Sequence, residues 1–225
     1  MTTNLPLHVR SELPGAAARI ARWLLPLALG SLLTGCLSRP ALVQRTFALQ
    51  AEPPANNAAP RGDAVLAVRV VEVSPLFEGH DFVYRTGADL YEVDPYAAFL
   101  VAPSHTLAIA LRGGLRNSGA FKDVVEPDSQ LGADIALEVH VTELYGDFRK
   151  PGQLAAVLSM RMLFFRTGSG QARQPLLEKE YTCRVPLPQK MASALVAGWD
   201  RALAKIVPEA ASDFAAAQAA RPAQR

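Results

Sequence analysis

The stretch Asp134-Ile135-Ala136-Leu137-Glu138-Val139-His140-Val141-Thr142-Glu143-Leu144 alternates more cleanly than any other part of the chain. Ile135, Leu137, Val139 and Val141 fall on one side of an extended backbone, and Glu138, His140 and Thr142 on the other. This is the two-residue period of a strand with one dry and one wet face. Downstream, after a turn at Lys150-Pro151-Gly152, residues 156–165 (AVLSMRMLFF) put Leu158, Met160, Met162 and Phe164 on one side. Thr167-Gly168-Ser169-Gly170 then closes a hairpin onto a further strand over residues 176–185. Three long consecutive strands joined by short turns predict an antiparallel meander.

Upstream, residues 45–49 (RTFAL) make a first strand, and residues 51–63 (AEPPANNAAPRGD) are crowded with Pro, Asn and Ala as in a loop. Val65–Val73 (VLAVRVVEV) is β-branched and nearly continuous in apolar residues, as a central strand is, and Pro75 ends it. Residues 82–93 hold two short alternating runs around Thr86-Gly87-Ala88-Asp89, a hairpin with its tight turn at Gly87. Asp94-Pro95 has the form of a helix start, with a capping carboxylate and proline at the first helical position. A further helix begins near Pro103 with Ser104 or a neighbour as cap, carries Leu107, Leu111 and Leu115 at four-residue spacing, is weakened by Gly113-Gly114 and stops at Asn117-Ser118-Gly119. A short strand follows at residues 121–125.

From residue 190 to 207 the period becomes 3.6, with Val196, Trp199, Leu203 and Ile206 on one stripe, expected to lie on the sheet. The alanine-rich tail after Pro208 is expected to fray. The predicted fold class is α/β (α+β), a single-domain sandwich with a mostly antiparallel sheet and helices packed on one face. Its expected divisions are 1–35 (a removed leader), 36–45 (a tether), 46–207 (the domain) and 208–225 (a flexible tail).

The leader follows from residues 23–33 (WLLPLALGSLL), eleven apolar-rich residues behind Arg10, Arg19 and Arg22. As a helix this run is about 16 Å long, against about 30 Å of bilayer hydrocarbon, so it has signal length and not spanning length. It ends in Leu33-Thr34-Gly35-Cys36. Thr34 and Gly35 are small enough for a peptidase cleft, and the Cys36 thiol is able to carry a diacylglycerol. The four residues resemble the lipobox of bacterial lipoproteins, in which lipidation precedes cleavage and the new amino terminus is then acylated. Stable anchoring takes more than one chain, at about 0.8 kcal/mol per buried methylene, and a triacylated Cys36 satisfies that. In such lipoproteins an aspartate after the cysteine tends to retain the protein at the inner membrane. Leu37 and Ser38 therefore imply the outer membrane, with the body of the protein in the periplasm.

The chain has 23 Lys and Arg against 21 Asp and Glu, and losing residues 1–35 removes three arginines and Glu12, which leaves 20 of each sign. With no basic surplus, nucleic-acid binding is excluded as a function class. Besides Cys36 there remains Cys183, which has no partner for an intrachain disulfide once Cys36 is lipidated and is expected to be a buried, inert thiol.

No catalytic pattern stands out. His80, His105 and His140 each lack an acid or cysteine at ligand spacing, so neither a metal nor any cofactor besides the covalent lipid is expected. Gly168-Ser169-Gly170 lacks the spacing of a nucleophile elbow and reads as a turn. His80 and Asp81 are expected in a solvated loop. Met160, Met162, Phe164 and Phe165 crowd both faces of one strand with large soft side chains. Either helices cover one face and the N-terminal strand or a partner part of the other, or the four line a groove for an acyl chain or a partner. Tyr84, Tyr91 and Tyr96 likewise suit a core with wet hydroxyls or an interface belt.

Taken in order, the lipobox, residues 45–49, Val65–Val73, Phe82-Val83-Tyr84-Arg85, a helix within residues 94–118, Phe121-Lys122-Asp123-Val124-Val125, the strand from Ala133 to Val139, two more strands and a closing helix resemble the ABC-type transport auxiliary lipoprotein family over about residues 46–207. The family often has a tryptophan where its helix opens, and Tyr96 or Phe99 stands in that region here. The resemblance implies an α/β sandwich of antiparallel strands with helices on one side. It also implies a non-enzymatic accessory of transporters containing MCE domains, which move phospholipids or related apolar molecules between inner and outer membranes, as in the paraquat-inducible system. The implied partners are the membrane through the acyl chains, an MCE-domain protein and phospholipid. A competing class is a lipoprotein that activates or scaffolds a cell-wall synthase or an outer-membrane assembly machine.

Because the Cys36 thiol is the one attachment point for acyl chains, Cys36→Ala should abolish incorporation of labelled palmitate and leave the protein unprocessed or soluble. An alanine variant that still took up label and floated with outer membrane would contradict the lipobox.

Overall fold

The alternating run that opens at Ile135 forms a strand thirteen residues long, Ile135–Asp147, and both of its edges are occupied. The structure, a computed structural model, describes residues 43–50, 62–168 and 175–220. Its elements in chain order are β1 (Arg45–Phe47), β2 (Val65–Val73), β3 (Asp81–Arg85), β4 (Tyr91–Phe99), α1 (Pro103–Asn117), β5 (Asp123–Val125), β6 (Ile135–Asp147), β7 (Ala155–Arg166), β8 (Pro175–Pro186) and α2 (Ala192–Ala219). Most of the expected loop at 51–63, and Ser169 and Gly170 of the expected turn, lie outside the described residues.

Among the described residues, eight strands form one sheet. β7 runs antiparallel along one whole edge of β6, from Ile135 opposite Arg166 to Asp147 opposite Ala155, and β8 continues the meander antiparallel to β7. The other edge of β6 is divided. β2 pairs in parallel with its first half, from Leu66 opposite Ile135 to Val73 opposite Val141, and β3 pairs in parallel with its last two residues. β5 extends β2 in parallel, β4 pairs antiparallel to β3, and β1 pairs in parallel with β4.

The meander and the β3–β4 hairpin are antiparallel as expected, but the sheet as a whole is mixed and not mostly antiparallel. Parallel pairs need crossover connections, and the segment from β3 to β5, with α1 inside it, supplies the one between β2 and β6. Side-chain alternation along a strand is the same whichever way its neighbour runs, so the sequence pattern carries no sign of this.

Both helices pack on the same face of the sheet. Ile135, Leu137, Val139 and Val141 of β6 and Leu158, Met160, Met162 and Phe164 of β7 are buried beneath them. A bulge between Val141 and Glu143 then reverses the phase, so that Leu144, opposite Leu158, joins this face while Tyr145, opposite Val157, turns to the other. That second face is mostly polar: His140 lies 3.1 Å from Glu72, Thr142 donates to Glu180 at 3.2 Å and Arg161 lies 3.8 Å from Glu178. Near its Asp147 end this face is covered, where Phe77, from the turn after β2, stacks on Tyr145 at 5.7 Å and meets Tyr91 edge-on at 6.0 Å, and toward the Ile135 end Ala136 and Phe165 on it are also buried.

α2 ties the divided sheet together through Trp199, which is fully buried. Its ring stands edge-on to Phe82 of β3 at 5.2 Å and stacks on Phe99 of β4 at 5.4 Å, while its Nε1 donates to the Val157 carbonyl of β7 at 3.1 Å. Gly198 beside it allows this approach, since a Cβ there would lie 2.5 Å from that of Ala156. Gly114 of α1 does the same against α2, where a Cβ would come within 2.8 Å of Val207. The glycine expected to weaken α1 is thus where the two helices touch.

Three local expectations are corrected. Asp94-Pro95 starts no helix; β4 runs on to Phe99, and the pair sits where the β3–β4 register jumps, so the missing proline N–H leaves no ladder bond unmade. The Asp94 carboxylate does take a free amide, that of Tyr96 at 2.8 Å, but in a local turn. α1 begins at Pro103 as expected, yet its cap position is Ala102, with no side-chain cap, and not Ser104. Pro208 does not end the closing helix. α2 continues to Ala219 because Ala210, Ala211 and Phe214 are buried, with Phe214 against Phe121 and Phe164 at 4.9 and 5.0 Å, and because Tyr181 and Lys179 of β8 bind Asp213 at 3.0 and 2.7 Å. These contacts offset the lost backbone bond at Pro208.

Removing a buried side chain of this size costs about 3–5 kcal/mol, a large part of a typical stability of about 5–15 kcal/mol. Trp199→Ala should therefore unfold or strongly destabilise the protein with no partner present, measured by thermal or urea melts. An unchanged melt would show that Trp199 does not hold α2 to the sheet.

Candidate functional site

The sequence assigns the anchor to Cys36 and the sorting signal to Leu37 and Ser38, all outside the described residues. Met160, Met162 and Phe164 are wholly buried under the helices, and Phe165, on the opposite face, is 3% exposed. The crowding on β7 thus belongs to the core, and none of the four presents surface to an occupant in this structure. Tyr84 is buried, whereas Tyr91 and Tyr96 are 38% and 56% exposed.

Accessible chemistry gathers instead at the two ends of the sheet. At one end the registers align the strand termini, with Arg85 opposite Asp147, Asp147 opposite Ala155 and Ala155 opposite Pro186. The β3–β4 turn, the β6–β7 turn and the β8–α2 link therefore emerge side by side.

Asp147 is the fixed point of this end, 3% exposed. Arg149 grips it through two parallel bonds, Nε to Oδ1 at 2.9 Å and Nη2 to Oδ2 at 2.6 Å, and Arg184 adds a third at 2.7 Å. The Arg149 amide also donates to Oδ1 at 3.2 Å. Foremost the Arg149 hydrogen bonds, opposed by burial, hold this carboxyl far below the usual carboxylate range. Arg149, Lys150, Gln153 and Arg184 line a hollow of about 210 Å3 over it, so one carboxylate is outnumbered by three cations.

On the helix side of the same end, Lys190 stands over the Phe148 ring at 5.2 Å, and Phe148 stacks on Tyr84 at 4.8 Å. The Tyr84 hydroxyl donates to Asp94, and burial first, then this bond, pushes its pKa up. On the opposite face the Arg85 guanidinium lies 5.5 Å from the Tyr91 ring. Leu90 and Met191, at two of the turns, are 58% and 48% exposed. Arg149-Lys150 in a Pro-Gly turn is visible in the sequence, but Arg184 and Lys190 lie more than 30 residues away, and only the strand register brings them alongside.

At the opposite end lies a hollow of about 540 Å3, among whose lining residues are Asp63, Asp134, Ile135, Arg166, Phe214 and Gln218. Asp134 holds its rim together: Oδ2 accepts from the Val65 amide at 2.8 Å, its amide donates to the Val65 carbonyl at 2.9 Å, and its carbonyl accepts from the Thr167 amide at 3.0 Å. Elsewhere, burial raises the Cys183 thiol away from thiolate character and also raises the Asp200 carboxyl, which accepts the Gln50 amide at 3.0 Å. Among the described residues no group of three or more His, Cys, Asp or Glu side chains is placed to hold a metal, and no helix is long and apolar enough to cross a membrane.

Residues 47–211 match the model of a family described as ABC-type transport auxiliary lipoprotein component. The fold is similar to that of protein XCC0632 from Xanthomonas campestris, of family DUF330, with a TM-score of 0.66 at 15% identity over 78% of this chain and 97% of that one. A second solved structure, of an uncharacterized protein, has a TM-score of 0.60 at 19% identity over 76% of this chain and 99% of the other. At such identities the likeness is one of fold. No curated protein matches the chain.

Asp147→Asn preserves the shape of this cluster and removes its charge, so at pH 7 it should lower stability by about 1–3 kcal/mol. Because the folded carboxyl is depressed, its contribution is complete above the unfolded value of about 4 and is lost as pH falls toward the lower folded one. Thermal melts between pH 7 and pH 2 should show the gap between the two proteins closing in acid; a gap independent of pH would exclude the ion pairs as its source.

Proposed function

The chain belongs to the family of ABC-type transport auxiliary lipoprotein components, and on that premise we propose that it is an outer-membrane-anchored periplasmic accessory of an MCE-type ABC transporter. The transporter would carry phospholipid or other apolar molecules between inner and outer membranes. The match over residues 47–211, joined to Leu33-Thr34-Gly35-Cys36 just upstream, is the observation that carries this reading. The family supplies the link to a transporter, and the lipobox supplies an anchor that needs no spanning helix. Leu37 and Ser38 after the cysteine favour the outer membrane over the inner one.

In this role the protein performs no reaction. Acyl chains on Cys36 fix one end of the chain, and the domain binds its partner through surface and not through a catalytic group. The 540 Å3 hollow at the Ile135 end is a concave surface large enough to receive a segment of another protein or part of an apolar molecule.

Crosslinking in intact cells followed by purification of the lipidated protein should recover an MCE-domain protein with its permease and ATPase. Recovery of a cell-wall synthase or an outer-membrane assembly machine in their place would overturn the proposal in favour of a scaffold for those systems.

A further inference from the structure

Three turns and the entry of the chain share one end of this domain. The β3–β4 turn, the β6–β7 turn and the β8–α2 link leave the sheet along the line Arg85, Asp147, Ala155, Pro186. β1 is parallel to β4, with Arg45 opposite Ala97, and β4 starts at Tyr91 opposite Arg85. The polypeptide therefore enters β1 from the side of these turns. Asp81, opposite Ala98, lies four residues from Arg85, so Arg45 stands about 13 Å from the line of turns at about 3.3 Å per strand residue. The far end of β6, at Ile135, is about 40 Å from that line by the same measure.

Charge is distributed to match. The β6–β7 turn and the β8–α2 link, with the end of β8, carry Arg149, Lys150, Arg184 and Lys190, and the one acid among them, Asp147, is already bound by two of the arginines. Acids at this end include Asp94, taken by Tyr84 and the Tyr96 amide, Asp89 and Glu92 on the β3–β4 hairpin, and Glu78 beside Phe77. Among the cations stand apolar side chains at the surface, Met191 from the link and Leu90 from the hairpin, with Phe148 half-buried beneath Lys190. Guanidinium and ammonium groups interleaved with single apolar side chains suit an interface where phosphates overlie hydrocarbon.

We infer that this end of the domain rests on the phosphate layer of the membrane that holds the acyl anchor, leaving the Ile135 end and its hollow directed away from it. The inference rests on the anchor at Cys36. Six residues separate Cys36 from Val43, and the seven steps between them reach at most about 25 Å, so the chain reaches the bilayer from the near end without turning back. To lay the far end on the membrane it would have to double back along the sheet, nearly fully extended. The occupant is a lipid surface and not a free anion, because Lys190 stands over Phe148 on the helix side, apart from the hollow that Arg149, Lys150 and Arg184 line, so the four cations span this end and share no single cavity.

Lysine acetylation of the mature lipidated protein tests this, with the protein in detergent and in vesicles of phosphatidylethanolamine with phosphatidylglycerol. Lys150 and Lys190 should be labelled several-fold more slowly in the vesicles, whereas Lys122 and Lys205, exposed elsewhere on the domain, should be unchanged. High salt, or vesicles of phosphatidylcholine alone, should weaken the protection. Equal rates for all four lysines in a properly inserted protein would overturn the orientation while leaving the anchor intact. Failure to insert, with no acyl group found on Cys36 by mass spectrometry, would overturn the anchor and this inference with it. Protection reproduced in detergent by glycerophosphate alone would show a site for a soluble anion and refute the membrane surface.

Discussion

The fold depends on β6 having more neighbours than its two edges would ordinarily hold. Its thirteen residues accept β7 along one side and, on the other, β2 for the first half and β3 for the last two positions. A strand with this arrangement must be long, must be dry on the helix side throughout and must adjust its twist where one neighbour gives way to the next. The bulge between Val141 and Glu143 makes that adjustment, and it transfers the buried alternation from the odd residues to Leu144. Without it Leu144 would face solvent and Tyr145 would displace the helices.

A divided sheet leaves a seam, and α2 closes it. Trp199 reaches β3, β4 and β7 at once through two ring contacts and one hydrogen bond, so one side chain joins the hairpin branch to the meander. The later turns of the same helix do comparable work at the other end, where Phe214 packs on Phe121 and Phe164 and the Asp213 carboxylate, held down chiefly by Lys179, fastens the helix to β8. This explains how a helix with proline at position 208 continues for three more turns: tertiary contacts on both sides of the break exceed the local penalty.

The same registers that build the sheet give the molecule two unlike ends. One bears three connections side by side and a caged carboxylate with Arg149, Lys150 and Arg184 around it, and the other a hollow with Asp134 bracing its rim. In the proposed role, this polarity would separate a surface next to the bilayer from one offered to a partner. The wet face of the sheet, laced with paired charges along β6, β7 and β8, resists stacking against a second sheet.

By itself the sequence determined the elements whose signals are local. The alternation of β6 and β7, the β-branched run of β2, the hairpin at Gly87, the leucine spacing of α1 and the stripe through Trp199 are each written in consecutive residues, because side-chain periodicity follows from backbone geometry alone. The run Leu33-Thr34-Gly35-Cys36, which resembles a lipobox, is local too. Tertiary structure decided what depends on distant partners: the parallel pairing of β2 and β3 with β6, the passage of β4 through Asp94-Pro95, and the persistence of α2 beyond Pro208. It also decided that Met160, Met162 and Phe164 are core, because only the placement of both helices shows that their face is covered. The cationic end is of the same kind. Arg149, Arg184 and Lys190 are separated in the chain and become neighbours only through strand register, a long-range property that no short window of sequence contains.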